Sequence, residues 1–220
     1  MNDNSYTGRE YAFSLQKKNI FVDVILIGNN AAFNKGEEDR CGGGWRPVMQ
    51  EDLSKNFSMH KFQSLDDKLL TEHLYNAGYS LGIQGGTGIL HSQHIDSFSE
   101  GIINFHPGDL PSYRGCSAPE YQYSDGKSII SSCHFISEGI DNGDLIEKKK
   151  LDVDLVSYFS FRASIYKLTS QFMVEIISRW LAGEQLKRTP QDENEAIYNK
   201  YIGDDTIKSL IKNWTTKTLI

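Results

Sequence analysis

The feature of this chain that most constrains its fold is an alternation between short apolar runs and segments of helical periodicity. The runs "IFVDVILIG" (20–28) and "GIINFH" (101–106) are rich in β-branched residues, which is typical of buried strands. The segment "LDDKLLTEHLYNAG" (65–78) carries leucines at helical spacing and ends on a glycine, which is typical of an amphipathic helix. Alternation of this kind predicts an α/β fold with a mostly parallel sheet and helices on both of its faces.

The chain divides unevenly along its length. After the longest helical stripe, over residues 158–182, the sequence is polar apart from one amphipathic piece. We therefore expect a catalytic domain over residues 1–182 and a short C-terminal extension over residues 183–220. Residues 30–55 are also polar and contain "CGGGW", which predicts a long flexible loop, and loops of this length are usually functional or disordered.

Composition limits the classes of function open to the chain. Its 29 acidic residues outnumber 23 Lys and Arg, and the net charge of −6 argues against a broad nucleic-acid-binding surface. No apolar run reaches the roughly 18 residues of a membrane span, and the N-terminus lacks the apolar core of a signal peptide. Cys41, Cys116 and Cys133 have neither metal-ligand spacing nor an even count, so we expect free thiols in a reducing cytoplasm. The histidines lack carboxylates at convincing ligand spacing, so no metal is expected.

Polar side chains gather at the end of the strand "GIINFH". Asn104 and His106 are two residues apart and therefore project from one face, and Pro107 biases His106 towards an extended backbone. Asp141, in the glycine-bracketed loop "EGIDNGD", could return a carboxylate to the same sheet edge. An amide, an imidazole and a carboxylate together suit attack on a carbonyl carbon. Each also has an ordinary structural explanation, as a strand end, a structural histidine and a turn residue.

Three segments resemble one known family. "INFHPGDLPSYRG" (103–115) is similar to a signature of the formyltransferases that use 10-formyltetrahydrofolate, an Asn-x-His-Pro run followed by Leu-Pro and a Tyr-Arg-Gly turn. "HFISEGIDNGDLI" (134–146) resembles the second signature of that family, and "GIQGGTGIL" (82–90) resembles the segment that walls its folate pocket. The matches occur in family order over about residues 81–150. The resemblance implies a Rossmann-like formyltransferase fold.

The resemblance also implies which residues act. Asn104, His106 and Asp141 would form the catalytic trio: Asn104 and a protonated His106 stabilise the oxyanion, while Asp141 supports the imidazolium and helps to take the amine proton. Asp144, where the family has Pro or Asp, is expected to be a turn residue. The formyl donor would be 10-formyltetrahydrofolate. The residues that would bind this cofactor are Gly85, Gly86, Thr87, Ile89, Leu90, Ile136, Gly139 and Ile140.

The surroundings of the signatures indicate the acceptor. The tRNA-acting members carry a sizeable C-terminal nucleic-acid-binding domain, and the purine-pathway members carry a Gly/Ser-rich phosphate loop; neither pattern occurs here. The remaining group formylates amino groups on nucleotide-linked deoxysugars of bacterial surface polysaccharides, such as the O-antigen of lipopolysaccharide. The candidates for substrate contact are then Tyr113, Arg114 and Trp45. A guanidinium can form two parallel hydrogen bonds to a phosphate, and an indole can stack on a nucleobase. A loop-stabilising Arg114 and a hydrophobic anchor at Trp45 are the alternatives.

The N-terminus departs from the family pattern. The family opens with a central strand, whereas this chain begins "MNDNSYTGREYAF", which matches the loop and helix after it. We therefore expect the first strand to be absent from this chain, which would leave backbone groups unpaired. A truncated or degenerate folate-binding homologue without activity, a hydrolase that releases formate and a formyltransferase for another small amine stay open as alternatives. The long apolar helix is compatible with a homodimer, and neither a nucleic acid nor a membrane partner is expected.

Overall fold

The structure, a computed structural model, describes residues 1–28 and 31–214. Within these residues the helices are α1 (Tyr6–Gln16), α2 (Ala31–Arg40), α3 (Gln50–Leu53), α4 (Lys68–Ala77), α5 (Ser92–Ile95), α6 (Ala118–Ser124), α7 (Tyr158–Leu181) and α8 (Asp204–Lys212). The strands are β1 (Val24–Ile27), β2 (Met59–Phe62), β3 (Leu81–Ile83), β4 (Gly101–His106), β5 (Arg114–Gly115), β6 (Ile130–Phe135), β7 (Leu145–Lys150) and β8 (Tyr198–Asn199). Among the described helices, none is both long and apolar enough to cross a bilayer.

The strands form two separate sheets and one small pair. β1 and β2 are parallel, and a four-stranded sheet has the order β3-β4-β6-β7. In the larger sheet β3 and β4 are parallel, whereas β6 runs antiparallel to both β4 and β7. β5 and β8 form a further parallel pair. The predicted α/β, Rossmann-like fold is confirmed, with parallel pairing between β3 and β4 and antiparallel pairing on the other side of β4.

Helices cover both faces of the sheets. Since side chains alternate along each strand, a single strand packs against helices on both faces. From β1, Val24 and Leu26 pack with Ala12 of α1, while Ile27 packs on the opposite face against Leu70 of α4. The same alternation operates in β4. Its residues Ile103 and Phe105 are buried in the main core, which contains these side chains: Tyr11, Leu15, Ile103, Phe105, Cys133, Phe135, Phe172, Met173, Val174, Ile176 and Ile177. Polar residues of β4 therefore lie on the face away from α7.

A gap between β1 and β3 separates the two sheets, and Met1 and Asn2 lie in part of it. The amide of Ile27 donates to the carbonyl of Met1 (2.9 Å), and the amide of Asn2 donates to the carbonyl of Gly86 (2.9 Å). The α-amino group of Met1 donates to the carbonyl of Ile25 (2.7 Å), and burial lowers the pKa of that amino group to about 5. The rest of the gap is a largely apolar cavity of about 700 Å³ bordered by β1, β3 and α1.

The predicted loop over residues 30–55 is wrong for most of its length, since it contains α2 and α3; residue 30 itself lies outside the described residues. Tertiary contacts account for the difference. The carboxylate of Glu37 in α2 accepts hydrogen bonds from the amide of Tyr6 (3.0 Å) and from the hydroxyl of Tyr166 (3.2 Å). These partners lie far from Glu37 in sequence, so a local pattern could not indicate them.

The C-terminal extension contacts the rest of the chain at several points. The amides of Thr189 and Leu145 donate to each other's carbonyls (3.0 and 2.8 Å), and β8 pairs with β5. Further on, the indole of Trp214 stacks on the ring of Tyr123 with centroids 4.1 Å apart. Residues 215–220 of the predicted extension lie outside the described residues, and the boundary at residue 182 stays a prediction.

Candidate active site

Four side chains converge where β4 meets β6. His106 Nδ1 lies 3.5 Å from Asp141 Oδ2, and His134 Nε2 lies 3.6 Å from Asp141 Oδ1. Asn104 Nδ2 lies 3.2 Å from His134 Nε2, because Asn104 is directly opposite His134 in the antiparallel register. The structure thus brings the three predicted residues together and adds His134. The signal for His134 was its place in the second signature, but its approach depends on β6 running antiparallel to β4.

Asp141 is an ionised carboxylate in a constrained loop. Its backbone φ is +49°, a left-handed conformation that Asp tolerates better than most residues. Its Oδ2 accepts a hydrogen bond from the amide of Gly115 (2.8 Å). Burial alone would raise the pKa of Asp141, but the two imidazoles and the Gly115 amide lower it to about 2. The group is therefore charged throughout the physiological pH range.

His106 is buried with an acceptor at each ring nitrogen. Nε2 lies 2.7 Å from the carbonyl of Tyr113 and donates to it, so Nδ1 faces the carboxylate of Asp141. Burial lowers the pKa of His106, and Asp141 and the Tyr113 carbonyl offset only part of that shift. The resting ring therefore favours the neutral form at pH 7, while both protons of the imidazolium have a partner when the ring is protonated.

The loop after β4 is pinned closely against His106. A Cβ at Gly108 would lie 2.5 Å from His106 Nε2 and 2.6 Å from the carbonyl oxygen of Tyr113, so this position requires glycine. The hydroxyl of Ser132 donates to the carbonyl of Gly108 (2.7 Å) and accepts from the amide of Leu110 (3.2 Å). The loop geometry thereby fixes the orientation of the imidazole.

The two predicted cofactor loops flank β4 on opposite sides. The amides of Gln84 and Ile136 donate to the carbonyls of Ile103 and Ile102 (2.9 and 2.7 Å), so the loops begin beside the same strand. Each loop carries one exposed apolar side chain, Ile89 (61%) and Ile140 (51%). The cavity at the sheet gap is lined by Gly85, Thr87 and Leu90 of the first loop, whereas Ile136, Gly139 and Ile140 do not border it. Gly86, at a φ of +72°, faces the hydroxyl of Ser5.

Comparison with known families shows the family of the chain. Residues 10–177 match the family model described as Formyl transferase. The chain belongs to the formyltransferase family. Methionyl-tRNA formyltransferase of Syntrophomonas wolfei is 30% identical over 117 residues, which are 52% of this chain and 36% of that relative. The match therefore spans about a third of that curated relative's length.

Solved structures share its fold. The formyltransferase PseJ from Anoxybacillus kamchatkensis, in complex with UDP-4,6-dideoxy-4-formamido-L-AltNAc and tetrahydrofolate, has a TM-score of 0.59 at 16% identity, covering 90% of this chain and 96% of that one. The N-formyltransferase from Helicobacter canadensis, in complex with folinic acid and dTDP-3-aminofucose, has a TM-score of 0.63 at 15% identity, covering 90% and 68%. At these identities the likeness shows the fold.

Arg114 does not reach a substrate surface. Its side chain is fully buried (0% exposed), and all five of its N–H donors are used. They bond to Gln191 Oε1 (3.2 and 2.9 Å), the carboxylate of Glu193 (2.9 and 2.7 Å) and the hydroxyl of Tyr198 (2.6 Å). The geometry corrects the predicted substrate contact to the alternative, a loop-stabilising arginine.

Tyr113 and Trp45, the other two predicted substrate contacts, lie in different settings. The hydroxyl of Tyr113 donates to Asp125 (2.8 Å), and burial raises the pKa of Tyr113 to about 12. Trp45 stacks on Tyr166 with centroids 5.6 Å apart and meets Tyr6 edge-on. The structure does not bring Trp45 to the Asp141 cluster, and its packing matches the hydrophobic anchor named as the alternative. Within the described residues, no three His, Cys, Asp or Glu side chains are placed to hold a metal ion.

Proposed function

We propose that this formyltransferase is an enzyme that transfers a formyl group from 10-formyltetrahydrofolate to the amino group of a nucleotide-linked amino deoxysugar. The observation that carries the proposal is the arrangement of Asn104, His106 and Asp141 around His134, with polar atoms 3.2 to 3.6 Å apart. An amide donor, an imidazole and an ionised carboxylate are the groups that amine attack on a carbonyl carbon requires.

The proposed roles follow from the charge of each group. The acceptor amine attacks the formyl carbon, and Asn104 donates a hydrogen bond to the oxygen on which negative charge develops, while the positive charge of the His106 imidazolium offsets that negative charge. Asp141, ionised because its pKa is about 2, stabilises the protonated His106 and accepts the proton that the amine loses. The bond between the formyl carbon and the leaving nitrogen then breaks, and that nitrogen takes up the proton. When bound, 10-formyltetrahydrofolate supplies the activated formyl group.

The loops that follow β3 and β6 fit such a formyl donor. Their exposed side chains Ile89 and Ile140 offer apolar surface to a flat aromatic ring, and Gly139 beside Ile140 is exposed as well. We therefore assign cofactor binding to Gly85, Gly86, Thr87, Ile89, Leu90, Ile136, Gly139 and Ile140. This assignment completes the proposed site on the face of β4 away from α7.

The acceptor class rests on the solved neighbours and on charge. Two neighbours that were crystallised with nucleotide-linked sugars each cover 90% of this chain. The net charge of −6 fits a small-molecule acceptor better than a tRNA. A sugar of O-antigen or lipopolysaccharide biosynthesis, formylated in the cytoplasm, is the acceptor that we propose. Methionyl-tRNA is the second candidate, because a methionyl-tRNA formyltransferase is 30% identical over 117 residues.

One panel of acceptors tests the proposal. Purified protein is incubated with 10-formyltetrahydrofolate and, in separate reactions, with dTDP- and UDP-linked 3-amino and 4-amino deoxysugars, methionyl-tRNA and glycinamide ribonucleotide. Mass spectrometry then detects the formylated product. A formylated sugar supports the proposal, and a formylated tRNA supports the second candidate. Formate release without an acceptor would indicate a hydrolase, and cofactor binding without transfer would indicate an inactive homologue.

A further inference from the structure

Gln191, in the C-terminal extension, contacts the loop that carries Asp141. Its Nε2 donates to the backbone carbonyls of Asp141 (2.8 Å) and Gly143 (2.7 Å). Its Oε1 accepts two hydrogen bonds from the guanidinium of Arg114 (3.2 and 2.9 Å). The amide of Gln191 therefore uses both of its donor hydrogens and its acceptor in joining two segments of the site.

A second route leads from the extension to the same carboxylate. The amide of Arg114 donates to the carbonyl of Ile197 (3.0 Å), and the amide of Cys116 donates to the carbonyl of Asn199 (2.9 Å). Gly115, between Arg114 and Cys116, donates its own amide to Asp141 Oδ2 (2.8 Å). The pairing with residues 197–199 thus aims the Gly115 amide at the reacting carboxylate.

Asp141 needs such support because of where it lies. It belongs to a loop between β6 and β7 and has a φ of +49°, a backbone conformation that L-residues seldom adopt. Outside a helix or a strand, the position of its carboxylate depends on the bonds that other segments make to the loop. Gln191 holds the backbone of Asp141, and the Gly115 amide holds its carboxylate.

We propose that Gln191 and residues 197–199 together clamp the Asp141 loop and that Gln191 is a positioning residue for formyl transfer. The inference rests on the proposed function, since it assigns the clamp a role in that reaction. In the proposed formyl transfer, Gln191 contacts no reacting atom. It acts by holding the Asp141 carboxylate at its distance from His106, and a shift of about 1 Å in such a group can lower a rate about 100-fold.

Two variants and one matched control test the clamp in the full chain. Gln191→Ala removes every bond of the side chain, whereas Gln191→Glu keeps an acceptor for Arg114 and sets a carboxylate against two carbonyl oxygens. Glu195→Gln alters an exposed residue of the same segment. We expect both Gln191 variants to lower kcat by about 10- to 100-fold with KM for the formyl donor within about twofold of wild type, and Glu195→Gln to match wild type. Purely structural damage would lower the apparent kcat only in proportion to the unfolded fraction, so circular dichroism at the assay temperature must show the Gln191 variants as folded as wild type.

Hydrogen exchange tests the clamp independently of formyl-transfer activity. In Gln191→Ala, the amide of Gly115 and the amides of residues 137–144 should exchange at least about 10-fold faster than in wild type, since the bond to Asp141 loosens. Wild-type kcat together with wild-type exchange at these amides would overturn the clamp, as would an equal loss of kcat in Glu195→Gln. If the wild type formylates none of the acceptors, the proposed function fails, and exchange alone then decides whether Gln191 holds the loop.

Discussion

At the scale of single residues, the site depends on the charge of Asp141. Two imidazoles and a backbone amide lower its pKa to about 2, against an ordinary value of 3.8, although burial opposes the shift. A carboxyl group whose pKa is lower in the folded state contributes stability that is fully present above its unfolded pKa and is lost as the pH falls through its folded pKa. Stability should therefore depend on this group between about pH 4 and about pH 2.

Replacing Asp141 with Asn tests that dependence. Asn also tolerates a left-handed backbone, so the substitution mainly removes the charge. At pH 7 the free energy of unfolding should fall by about 2 kcal/mol, because each pKa unit is worth about 1.4 kcal/mol. On acidification from about pH 4 to about pH 2, the wild type should approach the variant. Urea denaturation over this pH range measures the difference, and a constant offset between the two curves would contradict the expectation.

At the scale of elements, helix α7 packs against the face of β4 opposite to Asn104 and His106. Phe172 and Ile176 of α7 are fully buried against Ile103 and Phe105 of β4. The rings of Phe105 and Phe172 meet edge-on with centroids 5.4 Å apart. Because Asn104 and His106 alternate with these apolar residues, the packing behind β4 fixes the direction in which the polar pair projects.

Truncation of Phe172 should therefore weaken the whole fold. Phe172→Ala is expected to lower the free energy of unfolding by about 3–5 kcal/mol, through lost burial and the cavity that remains. The matched control is Leu181→Ala at the end of the same helix, where the side chain is 57% exposed; its cost should stay within about 0.5 kcal/mol. Chemical denaturation of the two variants checks this, and similar costs at the two positions would contradict the assigned core.

Periodicity predicted the elements that depend on local pattern. The run at 101–106 is β4, and the stripe at 158–182 is α7 to within one residue. Residues 31–40 were misjudged as loop because the contacts of Glu37 with Tyr6 and Tyr166 come from distant segments. Local sequence carries no information about such partners.

The site was predictable to the extent that strand geometry determines it. Spacing alone placed Asn104 and His106 on one face, the glycine-bracketed loop indicated that Asp141 could reach the same sheet edge, and the resemblance implied a common catalytic role for the three. His134 was missed because its position depends on the direction of β6, and Gln191 was missed because the polar extension shows no periodicity. The sequence could not show that Arg114 is buried, because a charged residue in a loop is ordinarily expected to be exposed.

At the scale of the whole molecule, the two sheets share a helix but not a strand. Helix α1 packs on β1 through Ala12 and on the larger sheet through Tyr11 and Leu15. The cavity of about 700 Å³ lies between β1 and β3. Met1 and Asn2 lie beside it in the same gap. The cavity is lined largely by apolar side chains, and a strand placed between β1 and β3 would remove this apolar surface from water.

Filling the cavity with a strand should stabilise the protein. A variant that carries about five alternating Val and Ile residues ahead of Met1 could pair with both β1 and β3, and each buried aliphatic side chain is worth about 1.5–3 kcal/mol before the cost of ordering it. We expect a net gain of at least about 2 kcal/mol in the free energy of unfolding. A Gly/Ser extension of equal length is the control. Equal stability of the two variants would show that the cavity does not accept a strand.

Formyl transfer by the arrangement of Asn104, His106 and Asp141 can be tested by one comparison of rates. Transfer of isotope-labelled formyl from 10-formyltetrahydrofolate to the acceptor identified in the panel is measured for wild type, His106→Ala, Asp141→Asn and the matched control Asp144→Asn. The expectation is a loss of about 100- to 10,000-fold for His106→Ala and Asp141→Asn, and a rate near that of wild type for Asp144→Asn. Near-normal turnover in His106→Ala or Asp141→Asn would contradict it.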